Sequence, residues 1–229
     1  ADGADSRLRS LLGIGVAEHD YRQKAVVAFL ETELPHRDTA WQRFLSGGPL
    51  AFLPFGERRC SIVWSLPEAQ ADALVEADPA AFCRALDSAF AGTLGATRLL
   101  SPRAAFPLRR RLAEQVLQGR CLLLGDAAHV VHPLAGQGVN LGLRDVSSLR
   151  DALRAAQARH GDVFDPHALR RWARQRHSDN TLAALAFENI NRVFSNDAFL
   201  PGLVRGHLLG LGDRLGPLKN AMARHAAGI

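Results

Sequence analysis

Little in this sequence suits the extracellular space. Only three cysteines occur in 229 residues, Cys60, Cys83 and Cys121, and no two of them form a C-x-x-C pair. An odd, scattered set of thiols argues against a disulfide framework and against a zinc site, and fits a reducing cytoplasm. Each cysteine lies among apolar neighbours and reads as a small core residue. No apolar run approaches the ~20 residues that span a bilayer, and no basic segment followed by an apolar stretch opens the chain, so a secretory signal is not expected. Lysine is nearly absent: Lys24 and Lys219 are the only two, so the net charge of +5 rests on arginine. The densest groups, Arg109-Arg110-Arg111 and Arg170, Arg171, Arg174, Arg176, lack the interleaved stacking aromatics that nucleic-acid binding wants. A solvated basic face is the simpler reading, with attraction to an anionic membrane surface as the alternative. Methionine occurs once, as Met222, and the chain begins Ala1-Asp2-Gly3; the expectation is a piece of a longer polypeptide.

What is present is ordinary for a globular chain, with 47% hydrophobic and 22% charged residues. Residues 1–12 read as a loop. Lys24 to Leu30, Leu50 to Pro54 and Cys60 to Leu66 are β-rich runs separated by Gly47-Gly48-Pro49 and Phe55-Gly56-Glu57, which predicts an antiparallel sheet. Two helices follow near 67–77 and 79–91, each opened by a proline. Arg103 to Leu108 reads as one more strand, with Pro107 near its end or on an edge. After Arg111 the character changes. Arg120 to Leu124 reads as a short apolar strand of the kind buried in a parallel sheet, followed by a Gly-rich turn and a helix over about 139–158. A long helix (about 166–193) and two shorter ones (about 199–211 and 214–226) complete the chain.

Strand, Gly125-Asp126, glycine turn and helix N-terminus together predict a ligand site at a strand's C-terminal end. An aspartate there accepts from ribose or ribityl hydroxyls. Gly136-Gln137-Gly138 lets backbone approach a flat ligand, and the first free N–H groups of the helix favour an oxygen carrying negative charge. Gly136, Gly138 and Gly142 nearly make G-x-G-x-x-G, but the third glycine is one place late and no strand-tip acid follows, which argues against an independent pyrophosphate site. His129 and His132 sit three apart, yet Pro133 follows at once and no third ligand is near, so no metal is expected. His129 reads as a packing residue, and Arg144-Asp145 as a structural ion pair on the helix.

The string Gly125 to Gly142, GDAAHVVHPLAGQGVNLG, resembles the second FAD motif of the flavoprotein aromatic hydroxylases, the para-hydroxybenzoate-hydroxylase-like group. Asp2-Gly3-x-x-Ser6-x-Leu8-Arg9 resembles their DG motif. Gly13-Ile-Gly15, Tyr21-Arg22-Gln23, Trp41 to Phe44, Gly48 to Pro54, Val63-Trp64, Phe106-Pro107-Leu108, Leu141 to Val146 and Gly216 to Lys219 narrow the resemblance to the ubiquinone-biosynthesis hydroxylases. Within that group it is most similar to the branch acting on 2-polyprenyl-3-methyl-6-methoxy-1,4-benzoquinol. The family's first motif, an upstream G-x-G-x-x-G unit holding the ADP half of FAD, is missing here.

The resemblance implies an α+β to α/β fold. A partial FAD domain would comprise 1–12 (DG motif) and 112–160 (GD motif and helix), with an antiparallel substrate-binding sheet over 13–111 and a C-terminal helical segment over 161–229. It implies a monooxygenase that hydroxylates a prenylated phenol or quinol with NAD(P)H and O2 through a C4a-hydroperoxyflavin, with no catalytic triad or carboxylate pair. Asp2, Arg9, Gly125, Asp126, Pro133, Gly136, Gln137, Gly138, Val139 and Asn140 would be cofactor-binding: Asp126 on the ribityl or ribose hydroxyls, Pro133 on the isoalloxazine face, 136–140 on the pyrimidine edge, Asp2 and Arg9 near the pyrophosphate and the NAD(P)H route. Phe106, Pro107 and Trp64 would line the substrate pocket, although core aromatics are commoner. The location implied is cytoplasmic, peripheral to the inner membrane, in contact with a ubiquinone-synthesis complex. Phe199, Leu200, Leu203, Leu208, Leu209 and Leu211 would face a membrane or partner, or simply pack. A flavin-dependent halogenase, a prenyl reductase of the same fold and a non-catalytic lipid-quinone- or partner-binding fragment are the alternatives.

Overall fold

The computed structural model describes residues 1–131 and 137–194. The two short helices expected over 199–211 and 214–226, the apolar residues Phe199 to Leu211, and His132, Pro133 and Gly136 lie outside the described residues. Contacts divide the chain into two units, one built on Ala1–Asp20 with Arg109–Ile190, the other on Tyr21–Leu108. The divisions fall inside two strands, β1 (Val16–Thr32) and β6 (Ala104–Ala113), rather than in linkers.

In the second unit, β1 pairs antiparallel with β4 (Arg59–Pro67), β4 with β3 (Gly48–Pro54), and β3 with β2 (Trp41–Leu45). Strand β5 (Thr97–Leu99) pairs with β1 at Leu30–Leu99. Alternation sets the faces. Val26, Ala28 and Leu30 on β1, Leu50 and Phe52 on β3, and Ile62, Trp64 and Leu66 on β4 all enter one core. Two helices supply its other side: α2 (Glu68–Glu76) through Ala71 and α3 (Pro79–Ala89) through Phe82 and Leu86. The α3 start is as the sequence predicts, since Asp78 accepts from the amides of Ala80 and Ala81 and Pro79 opens the helix. Lys24 ties the sheet to α2 through Asp72 at 2.7 Å.

The first unit holds the candidate site. Residues 1–12, expected as a loop, contain a short helix α1 (Arg7–Leu11). Its cause is a cap: Ser6 Oγ accepts from the Arg9 amide at 3.0 Å, and Asp2 Oδ2 from the Leu8 amide at 3.1 Å. The parallel strand expected over Arg120 to Leu124 is also corrected. Only β8 (Cys121–Leu122) forms, and it pairs antiparallel with β7 (Leu117–Gln118) around Gly119 at φ +58°. A parallel ladder needs a neighbour running the same way, and the pairings β1–β4, β1–β5, β2–β3, β3–β4, β6–β9 and β7–β8 are all antiparallel, β9 being His129–Val130. The long helices α4 (Gln137–His160) and α5 (Pro166–Phe194) match the expected spans closely. Ala113, Val116, Leu123, Ala127, Ala128 and Trp172 form the main core of this unit.

Candidate functional site

The Gly-Asp segment is a single 3-10 turn, Gly125–Ala127, entered from an extended Leu124. Gly125 has φ +59°, which only glycine takes without strain. Its α-carbon also lies against α4: a Cβ at Gly142 would sit 3.3 Å from it, so the close approach favours glycine at 142 while the positive φ favours it at 125. The inner side of the turn is apolar and closed, with Ala127 and Ala128 buried. Beyond it, β9 pairs with β6 at Arg111–Val130 and Leu112–His129.

The outer side is different. Asp126 is exposed and no described residue bonds its carboxylate. At the start of α4, a side chain placed on Gly138 would meet no described atom within 4 Å. Val139 is exposed; Asn140 is half-buried and partnered. An exposed acid on the turn and open space at a glycine in the first turn of α4 are thus two features of the same unit. That combination suits a ligand with a polyol chain and a flat, electron-rich edge, and so fits the flavin half of FAD.

The DG segment braces the turn from within. Arg9 is 8% exposed, and its guanidinium donates to the Ala127 carbonyl at 2.8 Å and to the Ala4 carbonyl at 2.9 Å. Asp2 is held down to about 2 by the Ser6 hydroxyl and then by the Leu8 amide. Both residues proposed from sequence for the pyrophosphate side thus have partners inside the protein.

A buried polar cluster was not anticipated. Asp145 and His129 are each 1% exposed. Asp145 Oδ2 accepts from His129 Nε2 at 2.6 Å and from the Gly125 amide at 3.0 Å, while Oδ1 accepts from Arg176 Nε at 2.9 Å and Asn180 Nδ2 at 3.5 Å. Because a carboxylate only accepts, the proton on this His129 edge belongs to Nε2; Nδ1 meets no partner among the described residues. Burial opposes the charge on Asp145, yet the His129 ring, the Gly125 amide and Arg176 outweigh it and hold the carboxyl below its usual range. His129 is accordingly more than the packing residue expected, and Asp145 more than one half of a pair with its helix neighbour. The signal was present in outline. Gly142 and Asp145 lie three apart on α4, on the face that meets Gly125, and Arg176 and Asn180 lie four apart on α5.

Of the residues proposed for substrate, Phe106 is 56% exposed on β6 and Pro107 beside it is exposed, whereas Trp64 is 6% exposed and packed in the second unit's core. The Trp64 indole N–H has no partner among the described residues. Among the described residues no group of three or more His, Cys, Asp or Glu could hold a metal ion.

The turn is pinned to α4 through Gly142 and Asp145, and it carries an exposed acid. Residues 1–177 match the family described as FAD binding domain, and the chain belongs to that family. It is similar to the ubiquinone hydroxylase UbiL of Rhodospirillum rubrum, at 38% identity over 228 residues, covering 100% of this chain and 53% of that protein. A 3-demethoxyubiquinol 3-hydroxylase of Escherichia coli is 38% identical over 232 residues, covering 100% and 58%. Among solved structures, PqsL, a probable FAD-dependent monooxygenase from Pseudomonas aeruginosa, matches with a TM-score of 0.70 at 26% identity, over 86% of this chain and 55% of that one. The chain spans little more than half the length of the curated relatives it matches.

Proposed function

We propose that this chain forms the isoalloxazine side of the cofactor site in an FAD-dependent monooxygenase that hydroxylates a prenylated phenol or quinol in ubiquinone biosynthesis, with NAD(P)H and O2 as co-substrates. The observation carrying this reading is Asp126, an exposed acid on a turn whose backbone is held on both sides while its own carboxylate is bonded by no described residue. The names of the two curated relatives support the pathway.

In this reading Asp126 accepts hydrogen bonds from ribityl or ribose hydroxyls. The first N–H groups of α4, at Gln137, Gly138, Val139 and Asn140, face the pyrimidine edge, and the helix dipole stabilises negative charge there. Pro133 and Gly136, which lie outside the described residues, are carried over from the resemblance as further flavin contacts. Asp2 and Arg9 brace the wall toward the pyrophosphate and the NAD(P)H route. Flavin, when bound, supplies the redox and oxygen-activating chemistry; the protein orients the ring and excludes water. Exposed Phe106 and Pro107 offer apolar surface to an aromatic substrate, and Trp64, buried in the second unit's core, would contribute only as packing. The place of action is the cytoplasmic side of the inner membrane, in contact with a ubiquinone-synthesis complex.

Titration of the 229-residue chain with FAD tests the cradle, and stoichiometric uptake is expected. Asp126→Ala removes hydrogen bonds to a charged acceptor, each worth about 1.5–3 kcal/mol, so affinity falls roughly ten- to hundred-fold. Unchanged affinity in that variant would sink the assignment of Asp126. For the whole reaction, NADPH-dependent hydroxylation of a prenylated phenol is the expected result; a halide-dependent product would favour the halogenase alternative, and loss of a prenyl double bond the reductase.

A further inference from the structure

Four donors converge on Asp145, two on each carboxylate oxygen, and they come from two segments outside its own helix. The donors on Oδ2, the Gly125 amide and the His129 ring, bracket Asp126 in sequence. On the opposite side Arg9 holds the Ala127 carbonyl, and the Ala128 carbonyl accepts from the Ala113 amide at 2.8 Å. Residues 125, 127, 128 and 129 are therefore all tethered, and the side chain between them is exposed and bonded by no described residue. Asp145 also lies on the same rigid helix as the open first turn, about 9 Å along the axis from Val139 at 1.5 Å per residue. One carboxylate thus sets the spacing between the acid of the turn and the N–H groups of the helix start.

Burying an ion cluster is a poor way to gain stability, since well-packed apolar residues hold a core as well or better. What a charged cluster does supply is a fixed position. We propose that Asp145 is a positioning residue of the flavin site: acting through Gly125 and His129, it fixes Asp126 relative to the N-terminus of α4, and it touches no ligand itself. The proposal rests on the flavin reading above. It goes beyond it by placing control of the site's geometry in a residue outside the cradle.

The test combines hydrogen exchange, read peptide by peptide, with FAD titration on the 229-residue chain. Asp145→Asn, His129→Leu and His129→Gln are compared with the parent. Gln keeps an N–H donor where His129 Nε2 stands; Leu does not. In Asp145→Asn and His129→Leu, amides of residues 124–129 are expected to exchange at least ten-fold faster, while Tyr21–Leu108 and α5 stay within two-fold of the parent, and the FAD dissociation constant rises at least ten-fold. His129→Gln is expected to restore both readouts to within about three-fold. A merely structural cluster would instead speed exchange through the turn, α4 and α5 together, with His129→Gln no better than His129→Leu, and that pattern overturns the proposal. So does a turn whose exchange does not change. Should Asp145→Asn fail to fold, the two His129 variants decide. If the parent takes up no FAD, the flavin reading fails for this chain, and the exchange pattern still decides whether Asp145 positions the turn.

Discussion

Two aspartates of one unit have opposite surroundings. Asp126 stands in water with no described partner, while Asp145 is buried with a donor on every side. Asp145 is held below the usual carboxylate range, so the sign of its pH effect is fixed: its stabilising contribution is complete above the unfolded value of about 3.9 and disappears as pH falls through the lower folded value. Urea titrations from about pH 5 downward are expected to show the parent converging on Asp145→Asn, because protonation removes what the substitution removes. A gap between the two that stays constant to the acid end would contradict the buried, ionised carboxylate. At this scale the sequence was only partly legible. Asp126 follows from its place after a strand and before a glycine turn. Arg9 and Asp145 do not yield their partners to local pattern, because those partners lie far along the chain: Ala127 for Arg9, and Arg176 on another helix for Asp145.

At the level of elements, glycines on one helix separate packing from ligand space. Gly142 meets the backbone of Gly125, which Asp145 pins, so a methyl group there has nowhere to go. Gly138 faces open space. Replacing a helical glycine by alanine ordinarily gains up to about 1 kcal/mol. Gly138→Ala is expected to show that gain in thermal or urea unfolding and to weaken FAD binding, whereas Gly142→Ala is expected to lose stability despite the same propensity benefit. If Gly138→Ala binds FAD as the parent does, the space at the start of α4 is not ligand space. The spans of α2 and α3 were readable from the prolines at their starts, and those of α4 and α5 also came close to expectation. Helix α1 was not, because five residues carry no period and only the cap geometry of Asp2 and Ser6 reveals it. The hairpin Leu117–Leu122 was misread as a parallel strand because a short apolar run looks the same in either setting.

For the whole molecule, the family resemblance divides the chain at 12/13 and 111/112, while contacts divide it at 20/21 and 108/109, within continuous strands. Motifs mark where a role begins; they are blind to how far a strand runs. Among the described residues no helix is long and apolar enough to cross a membrane. The net charge of +5 carried by arginine reads most simply as a solvated basic face; on the proposed function, the alternative of surface attraction to anionic lipid is the one to test. Co-sedimentation with vesicles containing anionic lipid is expected at low salt, with release as ionic strength shortens the screening length toward ~3 Å at 1 M. Equal binding to neutral vesicles would count against an electrostatic mode.

The bond from Arg9 to the Ala127 carbonyl also bears on how the chain matures. It joins residues 118 apart, so the loop it closes contains the entire second unit, and contacts of that span are made late and slowly. The sheet of the second unit can form from neighbouring strands, but the turn carrying Asp126 acquires its brace only when the two ends of that long loop meet. During synthesis the Arg9 side of the brace emerges first and waits for its carbonyl, so competence to receive a cofactor is among the last properties the folding chain gains.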